Sequence, residues 1–574
     1  MQNIIKFFTE KRNWKYIIFI ALAVLYFWQL GGYGLMNPDE GRYSEIPREM
    51  IESGDYLTLH LNYVYYFEKP PLHYWLTAAS FSVFGQNEFA SRFIPALMGF
   101  LTILMTWFFT RKFDGEDTAD FAAIILGTSA LFFAISRINI IDMTLSFFLT
   151  LALFSFYIFY KEDGNGKTSE TKKNGINFYI FNKANKNKWL YIFYAALAFA
   201  TLAKGLIGVV LPAGVIFCFM LFTRDWSILK KLFLTPAILV FFLLCVPPFY
   251  LVCKKNPDFF HFFFIQEHFL RYATKMHDRY APFWFFIPVI IGGLFPWLGG
   301  LFISFKNYFT KKDYNVYLLL WIGIITAFFS ASSSKLVPYI IPVYPALAIL
   351  IAKNLMDLKD KGSLKSVKYC LGFLTFFTVV LVLAAVLILN GIIPIRKIQD
   401  VLLYRAPITC LCMLCVVFCI ILWVMLSRPK KLFVFYALFA FCFILTALPA
   451  IKILGNERST RVLNKTLVPL LNPQDKVVNF RDYQQDLPFY TKRRVAIVGW
   501  NGELAFGRSK DPEGDNWFID MDKAEAYLKQ PLEKDQKLYM VINDEYLKEV
   551  PNLDEFDYIG RDDRMELNIY VRKY

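Results

Sequence analysis

The sequence is poor in cysteine, histidine and charge, with nine cysteines, five histidines and 19% charged residues among 574 positions. Every cysteine lies in or beside an apolar stretch, and none follows Cys442. We therefore expect no disulfide framework, because cysteines within such stretches behave as small apolar residues. The chain also lacks a repeat with a period of about 20–50 residues, which argues against a solenoid. No glycine-rich nucleotide-binding loop is visible, so no nucleotide cofactor is expected.

Apolar residues, in contrast, are abundant. They form 56% of the chain and include 61 phenylalanines, more than a water-soluble fold can cover with polar groups. A helix crosses a bilayer with about 20 mostly apolar residues, and in lipid it must satisfy its own backbone groups. The stretches that fit are 16–33, 91–110, 118–136, 141–160, 188–203, 205–223, 230–252, 282–305, 315–331, 336–352, 369–391, 405–427 and 432–450. They predict an all-α polytopic membrane domain of about 13 transmembrane helices.

The net charge of +15 does not indicate nucleic-acid binding. Lysine and arginine gather in alternate loops, including the basic insert 161–187, which is typical of cytoplasmic loops. An odd number of spans then places the N-terminus in the cytoplasm and the C-terminus outside. The first apolar stretch lacks an A-x-A-like cleavage site, so we expect an uncleaved span.

The chain divides into two predicted domains. Residues 1–454 form the membrane domain, with long outer loops at 34–90 and 253–281. Residues 455–574 form a small soluble α/β domain outside the cytoplasm. Strand-like pieces at 494–498 and 538–542 flank a helical stretch near 522–530, which supports that assignment.

The first outer loop opens with two adjacent acids. Asn37 is a candidate N-cap, Pro38 fits the first helical position, and Asp39 and Glu40 occupy the first turn. Acids there are favoured by the helix dipole alone. The functional alternative is a general base that takes a proton from an acceptor hydroxyl or phosphate.

Two further constellations lie in the outer loops. Lys69 follows Glu68 and precedes two prolines; it either snorkels to lipid head groups or holds a phosphate as a fixed charge. In the second loop Arg271 either pairs with Glu267 at i,i+4 or offers its planar fork to a phosphate. His268 and Glu68 are candidate metal ligands, although two ligands do not identify a metal.

Ionisable residues also mark the ends of predicted spans, where they are costly unless they face a cavity or a partner. Asp142 either pairs locally with Arg137 or serves as a second acid at a cavity. Lys204 is expected to snorkel. The hairpin between two late spans carries Lys335 and Tyr339.

These segments, in this order, resemble a known family. Asn37–Tyr43 (NPDEGRY) and Glu68–Leu72 (EKPPL) are similar to the dolichyl-phosphate-mannose protein mannosyltransferases, the C-type glycosyltransferases of family 39. The likeness to the bacterial lipid A aminoarabinose transferase branch extends through the rest of the chain. It rests on Glu267–Arg271 (EHFLR), Lys335–Pro342 (KLVPYIIP), Asp486–Tyr490 (DLPFY) and Gly502–Gly507 (GELAFG).

The resemblance implies a function and its site. A sugar would pass from a polyprenyl phosphate to lipid A or a related envelope acceptor, with inversion, on the periplasmic face of the bacterial inner membrane. The implied catalytic acids are Asp39, Glu40 and Asp142. The implied substrate-binding residues are Lys69, Arg271, Tyr339 and Lys335. Glu68 and His268 would hold a divalent metal ion of unspecified identity.

The partners implied are the polyprenyl-linked donor, a lipid or glycan acceptor and membrane lipids. One alternative is an enzyme similar to the protein O-mannosyltransferases. Another is a flippase or transporter, but transporters place charges near the bilayer midplane, whereas these charges gather at the outer ends. A non-catalytic lipid-binding scaffold is the third alternative.

Overall fold

A computed structural model of the protein describes residues 14–164, 187–270, 281–302, 313–361, 363–393, 401–500 and 502–573. Up to Glu457 the described chain is almost entirely helical. Its α-helices are Trp14–Phe27, Asp39–Ser53, Leu72–Phe84, Glu88–Asp114, Glu116–Gly127, Ala130–Ile135, Ile141–Gly164, Lys188–Lys204, Ile207–Thr223, Ser227–Phe233, Ile238–Lys255, Asp258–Phe260, Phe286–Gly293, Gly299–Phe302, Asp313–Ala331, Tyr344–Lys361, Leu364–Leu389, Arg405–Val424 and Pro429–Glu457. A π-helix covers His261–Leu270, and 3-10 helices cover Val337–Val343, Val401–Tyr404 and Met425–Ser427.

Eight helices in the described parts of the chain are long and apolar enough to cross a membrane. They are Glu88–Asp114, Ile141–Glu162, Ile238–Lys255, Asp313–Ala331, Val337–Leu358, Leu364–Leu389, Val401–Ser427 and Lys431–Glu457. Lys15–Phe27 and Ile207–Thr223 are shorter apolar helices. The prediction of a mostly helical polytopic membrane protein is confirmed at this level.

The other predicted stretches are shorter or interrupted as helices. Stretch 118–136 is divided between Glu116–Gly127 and Ala130–Ile135. Stretch 282–305 contains Phe286–Gly293 and Gly299–Phe302, while 188–203 is the 17-residue helix Lys188–Lys204. The total of about 13 spans therefore stays a prediction.

Two buried arginines hold the outer end of the first helix. The last carbonyl groups of a helix have no partner within it, and cations are favoured there by the dipole. Arg137 donates to two of them, those of Leu25 and Tyr26, at 3.0 Å, and to the carbonyl of Trp28 directly after the helix at 2.7 Å. Arg92 donates to three carbonyls of the turn that follows, at 2.6–2.8 Å. The start of the first outer loop is thereby fixed against the membrane domain.

Two helices shape the first outer loop, and the first of them begins where the sequence predicts a helix start. One runs from Asp39 through Pro47 to Ser53 and ends at Gly54, whose φ of +70° suits a residue without a Cβ. The second, Leu72–Phe84, begins directly after the two prolines. Between them a short hairpin pairs β1 (His60–Leu61) with β2 (Val64–Tyr65). The Glu68–Lys69 segment follows this hairpin and leads into the second helix.

The C-terminal domain is a mixed sheet with helices, which confirms the predicted α/β class. Its strands are β3 (Lys476–Phe480), β4 (Ala496–Val498), β5 (Phe518–Ile519), β6 (Lys537–Asn543), β7 (Asp557–Asp562) and β8 (Leu567–Lys573). Their order is β5-β4-β3-β6-β8-β7, with β3 to β6 parallel and β7 and β8 antiparallel. Its short helices are Arg461–Leu467, Leu487–Thr491, Ala505–Lys510, Gly514–Trp517 and Ala524–Leu528, with 3-10 turns at Val468–Leu470, Gly502–Leu504, Met521–Lys523, Asp544–Glu549 and Leu553–Glu555.

Amide side chains join this domain to the first outer loop. Asn37 was expected to cap the Asp39 helix, and this is wrong because Pro38 occupies the N-cap position. Asn37 instead donates to Asp486 Oδ1 at 2.6 Å and accepts from the Asp486 backbone N–H at 2.9 Å. Asn62 exchanges a matching pair of bonds with the backbone of Val495, at 2.8 and 2.9 Å. The C-terminal domain is thus anchored on both sides of the Asp39 helix.

Candidate active site

Asp39 lies where the first outer loop meets the C-terminal domain. Its side chain remains 52% exposed, and its carboxylate pairs with Arg42 one helical turn later. The same guanidinium also binds Glu503 of the C-terminal domain. Burial raises the pKa of Glu503, and the positive charge of Arg42 opposes that rise. An arginine between two carboxylates holds the exposed one in a defined orientation.

Glu40, its neighbour, is placed differently. Its side chain is fully buried and receives two bonds from Arg92, at 2.7 and 2.8 Å. The backbone N–H groups of Asn139 and Met36 complete its coordination at 2.8 and 3.0 Å. Because both oxygens are bonded inside the protein, this geometry suits a residue that positions the helix. A catalytic role for Glu40 stays a prediction without support from its surroundings.

Lys69 brings the two outer loops together. Its ammonium donates to the Glu68 carbonyl at 3.0 Å and lies 3.5 Å from the Glu68 carboxylate. On its other side Glu267 approaches to 3.9 Å from the second loop. Arg271 lies outside the described residues, so the alternative pairing of Glu267 with it stays a prediction. Lys69 is therefore a partly buried cation, with its side chain 15% exposed, near the junction of two loops.

Of the two predicted metal ligands, Glu68 is the one whose side chain lies in the described part of the chain. No group of three or more His, Cys, Asp or Glu side chains in the described ranges could hold a metal ion. Glu68 and Glu267 flank the Lys69 ammonium, which compensates one of their two negative charges. The side chain of His268 lies outside the described part of the chain. The metal site stays a prediction, and no reaction step is derived through it.

Asp142 pairs with Lys204, not with its near neighbour. Their oxygen and nitrogen are 2.6 Å apart, with both side chains about one-eighth exposed. The expected local pair with Arg137 is wrong because that guanidinium is bonded to helix carbonyls. The expected snorkelling of Lys204 is also wrong, since its Nζ lies over the Tyr339 ring, 4.2 Å from the centroid. Tyr339 is thereby placed beside the Asp142 pair.

Lys335 has a different environment. Its ammonium donates to the carbonyl groups of Ser332 and Ala281, at 2.6 and 2.9 Å. These bonds connect the late hairpin to the end of the second outer loop. The contacts suit a residue that positions the hairpin near Tyr339, and substrate binding by Lys335 stays a prediction.

Tyr43 links the Asp39 helix to the Leu72 helix. It is buried and stacks on Tyr74, with ring centroids 5.7 Å apart. Burial raises the pKa of Tyr43, and Arg42 opposes the rise. The negative charges that raise it further are those of Asp39, Asp142 and Glu68. The Arg42 guanidinium lies 5.3 Å from the centroid of the Tyr43 ring, so this tyrosine packs between Arg42 and the Leu72 helix.

His73 belongs to the scaffold beneath this region. It is fully buried, and its two ring nitrogens lie 2.9 Å from Thr144 Oγ1 and from Asn139 Oδ1. Burial lowers the pKa of His73 to about 4, against the raising effect of the Asn139 bond. A neutral imidazole therefore links the Leu72 helix to the Asp142 helix.

Two parts of the chain match known protein families. Residues 14–263 match the family model of dolichyl-phosphate-mannose-protein mannosyltransferases. Residues 463–563 match the aminoarabinose transferase C-terminal domain. Residues 14–263 are thus similar to this mannosyltransferase family. Because the second match covers most of the sheet domain, the resemblance to the aminoarabinose transferase branch is confirmed as well.

Individual relatives are also named as aminoarabinose transferases. The chain is 34% identical over 359 residues to the undecaprenyl phosphate-alpha-4-amino-4-deoxy-L-arabinose arabinosyl transferase 1 of Proteus mirabilis, covering 62% of this chain and 61% of the relative. The corresponding transferase of Aeromonas hydrophila is 32% identical, with 58% of each chain covered. The matched segments thus span about three fifths of these relatives.

A solved structure extends the likeness to nearly the whole chain. ArnT from Cupriavidus metallidurans bound to undecaprenyl phosphate is 28% identical, has a TM-score of 0.84 and covers 98% of both chains. The apo form of that protein gives a TM-score of 0.81 with 97% of both chains covered. Both the helical membrane domain and the sheet domain therefore share the fold of this family member.

The sequence did not identify Glu503 or Lys204 as members of the site. Glu503 lies 461 residues after its partner Arg42, and no local pattern joins them. An ion pair of Lys204 could have been predicted, because a lysine at the end of an apolar helix needs a partner when it is not at the surface. The GELAFG segment shared with the family was a second signal for Glu503.

Proposed function

We propose that the protein transfers aminoarabinose from undecaprenyl phosphate to lipid A or a related envelope acceptor. The observation that carries the proposal is the meeting of charged groups from separate segments. Arg42 pairs with both Asp39 and Glu503, and the Lys69 ammonium lies 3.5 Å from the Glu68 carboxylate and 3.9 Å from that of Glu267. The names of the relatives supply the donor, and the likeness to a protein bound to undecaprenyl phosphate supports it. Activity, donor and acceptor are proposals for this chain.

Asp39 is the proposed general base. Its carboxylate is half-exposed and oriented by Arg42, so it can accept a proton from an incoming acceptor. The acceptor oxygen forms its bond to the anomeric carbon as the bond to the phosphate oxygen breaks. The electron pair leaves with the polyprenyl phosphate, and attack opposite the leaving group inverts the configuration.

The leaving phosphate gains negative charge, which fixed cations stabilise where water is scarce. Lys69 is the proposed cation on the outer-loop side. Tyr339 with the adjacent Lys204 is proposed on the other side, where Asp142 holds the lysine at 2.6 Å. Arg271, by its place in the family motif, is proposed to complete this clamp.

We also propose about 13 spans, a cytoplasmic N-terminus and a periplasmic C-terminal domain in the bacterial inner membrane. Ion pairs link the ends of helices that the sequence assigns to the cytoplasm. These pairs are Lys15–Glu116, Lys112–Glu162, Lys161–Asp313 and Lys353–Asp114. They lie at the ends opposite to the proposed site, which supports this orientation.

Transfer by the purified protein tests the proposal directly. Undecaprenyl-phosphate aminoarabinose and lipid A are incubated with the protein, and the lipid A mass is measured. A mass increase of one aminoarabinose per modified site is expected. An unchanged lipid A, with donor moved across vesicle membranes, would instead support a flippase.

A further inference from the structure

The short helix Ala505–Lys510 of the C-terminal domain touches both outer loops of the membrane domain. Its Phe506 ring lies 5.6 Å from the ring of Phe67 in the first loop. The same ring lies 4.5 Å from Phe262 in the second loop. One aromatic side chain therefore fills the space between two segments that come from distant parts of the sequence.

The backbone of this helix also lies directly against the hairpin of the first loop. A Cβ atom at Gly507 would stand 2.4 Å from the Tyr65 carbonyl oxygen and 2.9 Å from a methyl group of Val64. The first distance involves backbone, which cannot move aside as a flexible side chain can. Glycine is thus required at this contact for steric reasons.

These contacts are close in sequence to the proposed phosphate-binding groups. Phe67 immediately precedes Glu68 and Lys69, while Phe262 lies in the π-helix that carries Glu267. Lys69 and Glu267 approach each other to 3.9 Å. The position of Phe506 therefore fixes the separation of the two segments that meet at the Lys69 ammonium.

We infer that Phe506 and Gly507 are positioning residues for binding of the donor phosphate. They pack the C-terminal domain between the two outer loops, and this packing sets the position of Lys69. This inference rests on the proposed function. It assigns the C-terminal domain a part in donor binding, although neither residue contacts the proposed reacting atoms. Misplacement of a binding group by about 1 Å can cost up to roughly a hundredfold in rate.

The test measures undecaprenyl phosphate binding to the purified full-length protein, together with KM for the donor and kcat. Phe506→Ala and Gly507→Ala are each expected to weaken binding and raise donor KM by on the order of tenfold, with a smaller change in kcat. Phe506→Leu keeps part of the apolar volume and should restore most of the affinity. Thermal unfolding checks that the variants remain folded.

Two control variants in the same domain leave the contacts of Phe506 and Gly507 intact. Tyr558→Ala removes an exposed ring from β7, and Gly560→Ala adds a methyl group whose nearest atom would be 3.8 Å away. Both should bind the lipid as the unmodified protein does. Equal weakening by the controls, or normal binding by Phe506→Ala and Gly507→Ala, would overturn the inference. Failure of the unmodified protein to bind would reject the proposed function itself, and this inference with it.

Discussion

Asp39 and Glu40 are consecutive residues in one helical turn, and each pairs with an arginine, yet they lie in contrasting regions. Asp39 is half-exposed at the junction with the C-terminal domain, whereas Glu40 is fully buried among four donor contacts. In the proposed mechanism the exposed Asp39 carboxylate accepts the proton of the acceptor. The buried pair anchors the helix that presents it. Sequence position alone therefore does not separate an exposed acid from a buried one.

The strongest test of this contrast is removal of the Asp39 charge. Asp39→Asn keeps the size of the side chain but cannot accept the acceptor proton, so kcat should fall by about 10²–10⁴-fold. Thermal stability should change little because the side chain is half-exposed. Glu52→Gln is the matched control, a 48% exposed carboxylate paired with Arg48 in the same helix. Full activity in Asp39→Asn would remove Asp39 from the mechanism.

Removal of the Glu40 charge, in contrast, should lower the free energy of unfolding. Glu40→Gln leaves the Arg92 guanidinium buried without a countercharge, and breaking such a pair costs about 3–5 kcal/mol. A chemical-denaturation or thermal-unfolding measurement on the purified protein in detergent should detect this loss. If Glu40→Gln is as stable as the unmodified protein but inactive, Glu40 is catalytic after all.

A smaller effect is expected where the C-terminal domain meets the exposed pair. Glu503→Gln weakens the bond that orients Arg42, so kcat should fall roughly tenfold, as expected for loss of a charge-assisted hydrogen bond. Donor KM should remain nearly unchanged. Asp511→Asn is a suitable control because it alters a similarly buried ion pair, with Arg494, in the same domain. A change in donor KM with kcat preserved would contradict the orienting role.

The contrast also explains what could be predicted from sequence. The apolar stretches and the Pro-Asp-Glu helix start are local signals, and both are found in the structure. The partners of polar groups are not local: Asn37 meets Asp486, and Arg42 meets Glu503, from a domain more than four hundred residues later. Neighbours in sequence therefore gave the wrong partner for Asp142, whose ion pair is with Lys204.

The buried region should also respond to pH, with a smaller effect than the substitutions above. His73 bonds to Asn139, whose backbone N–H binds Glu40. Burial lowers the pKa of His73 from 6.5 to about 4 in the folded protein. Between these two pH values His73 is therefore protonated in the unfolded chain and neutral in the folded protein. The stabilising contribution is complete above the unfolded pKa and is lost as the pH falls through this window.

Between pH 7 and pH 5 the loss should be at most about 2 kcal/mol, from one proton at 1.36 kcal/mol per pH unit. The free energy of unfolding is measured across this range for the unmodified protein and for His73→Gln. The glutamine variant should be less sensitive to pH, because it cannot be protonated in the unfolded chain. His261→Gln, which changes an exposed histidine, should keep the original pH dependence. Identical profiles for His73→Gln and the unmodified protein would show that another buried group governs acid sensitivity.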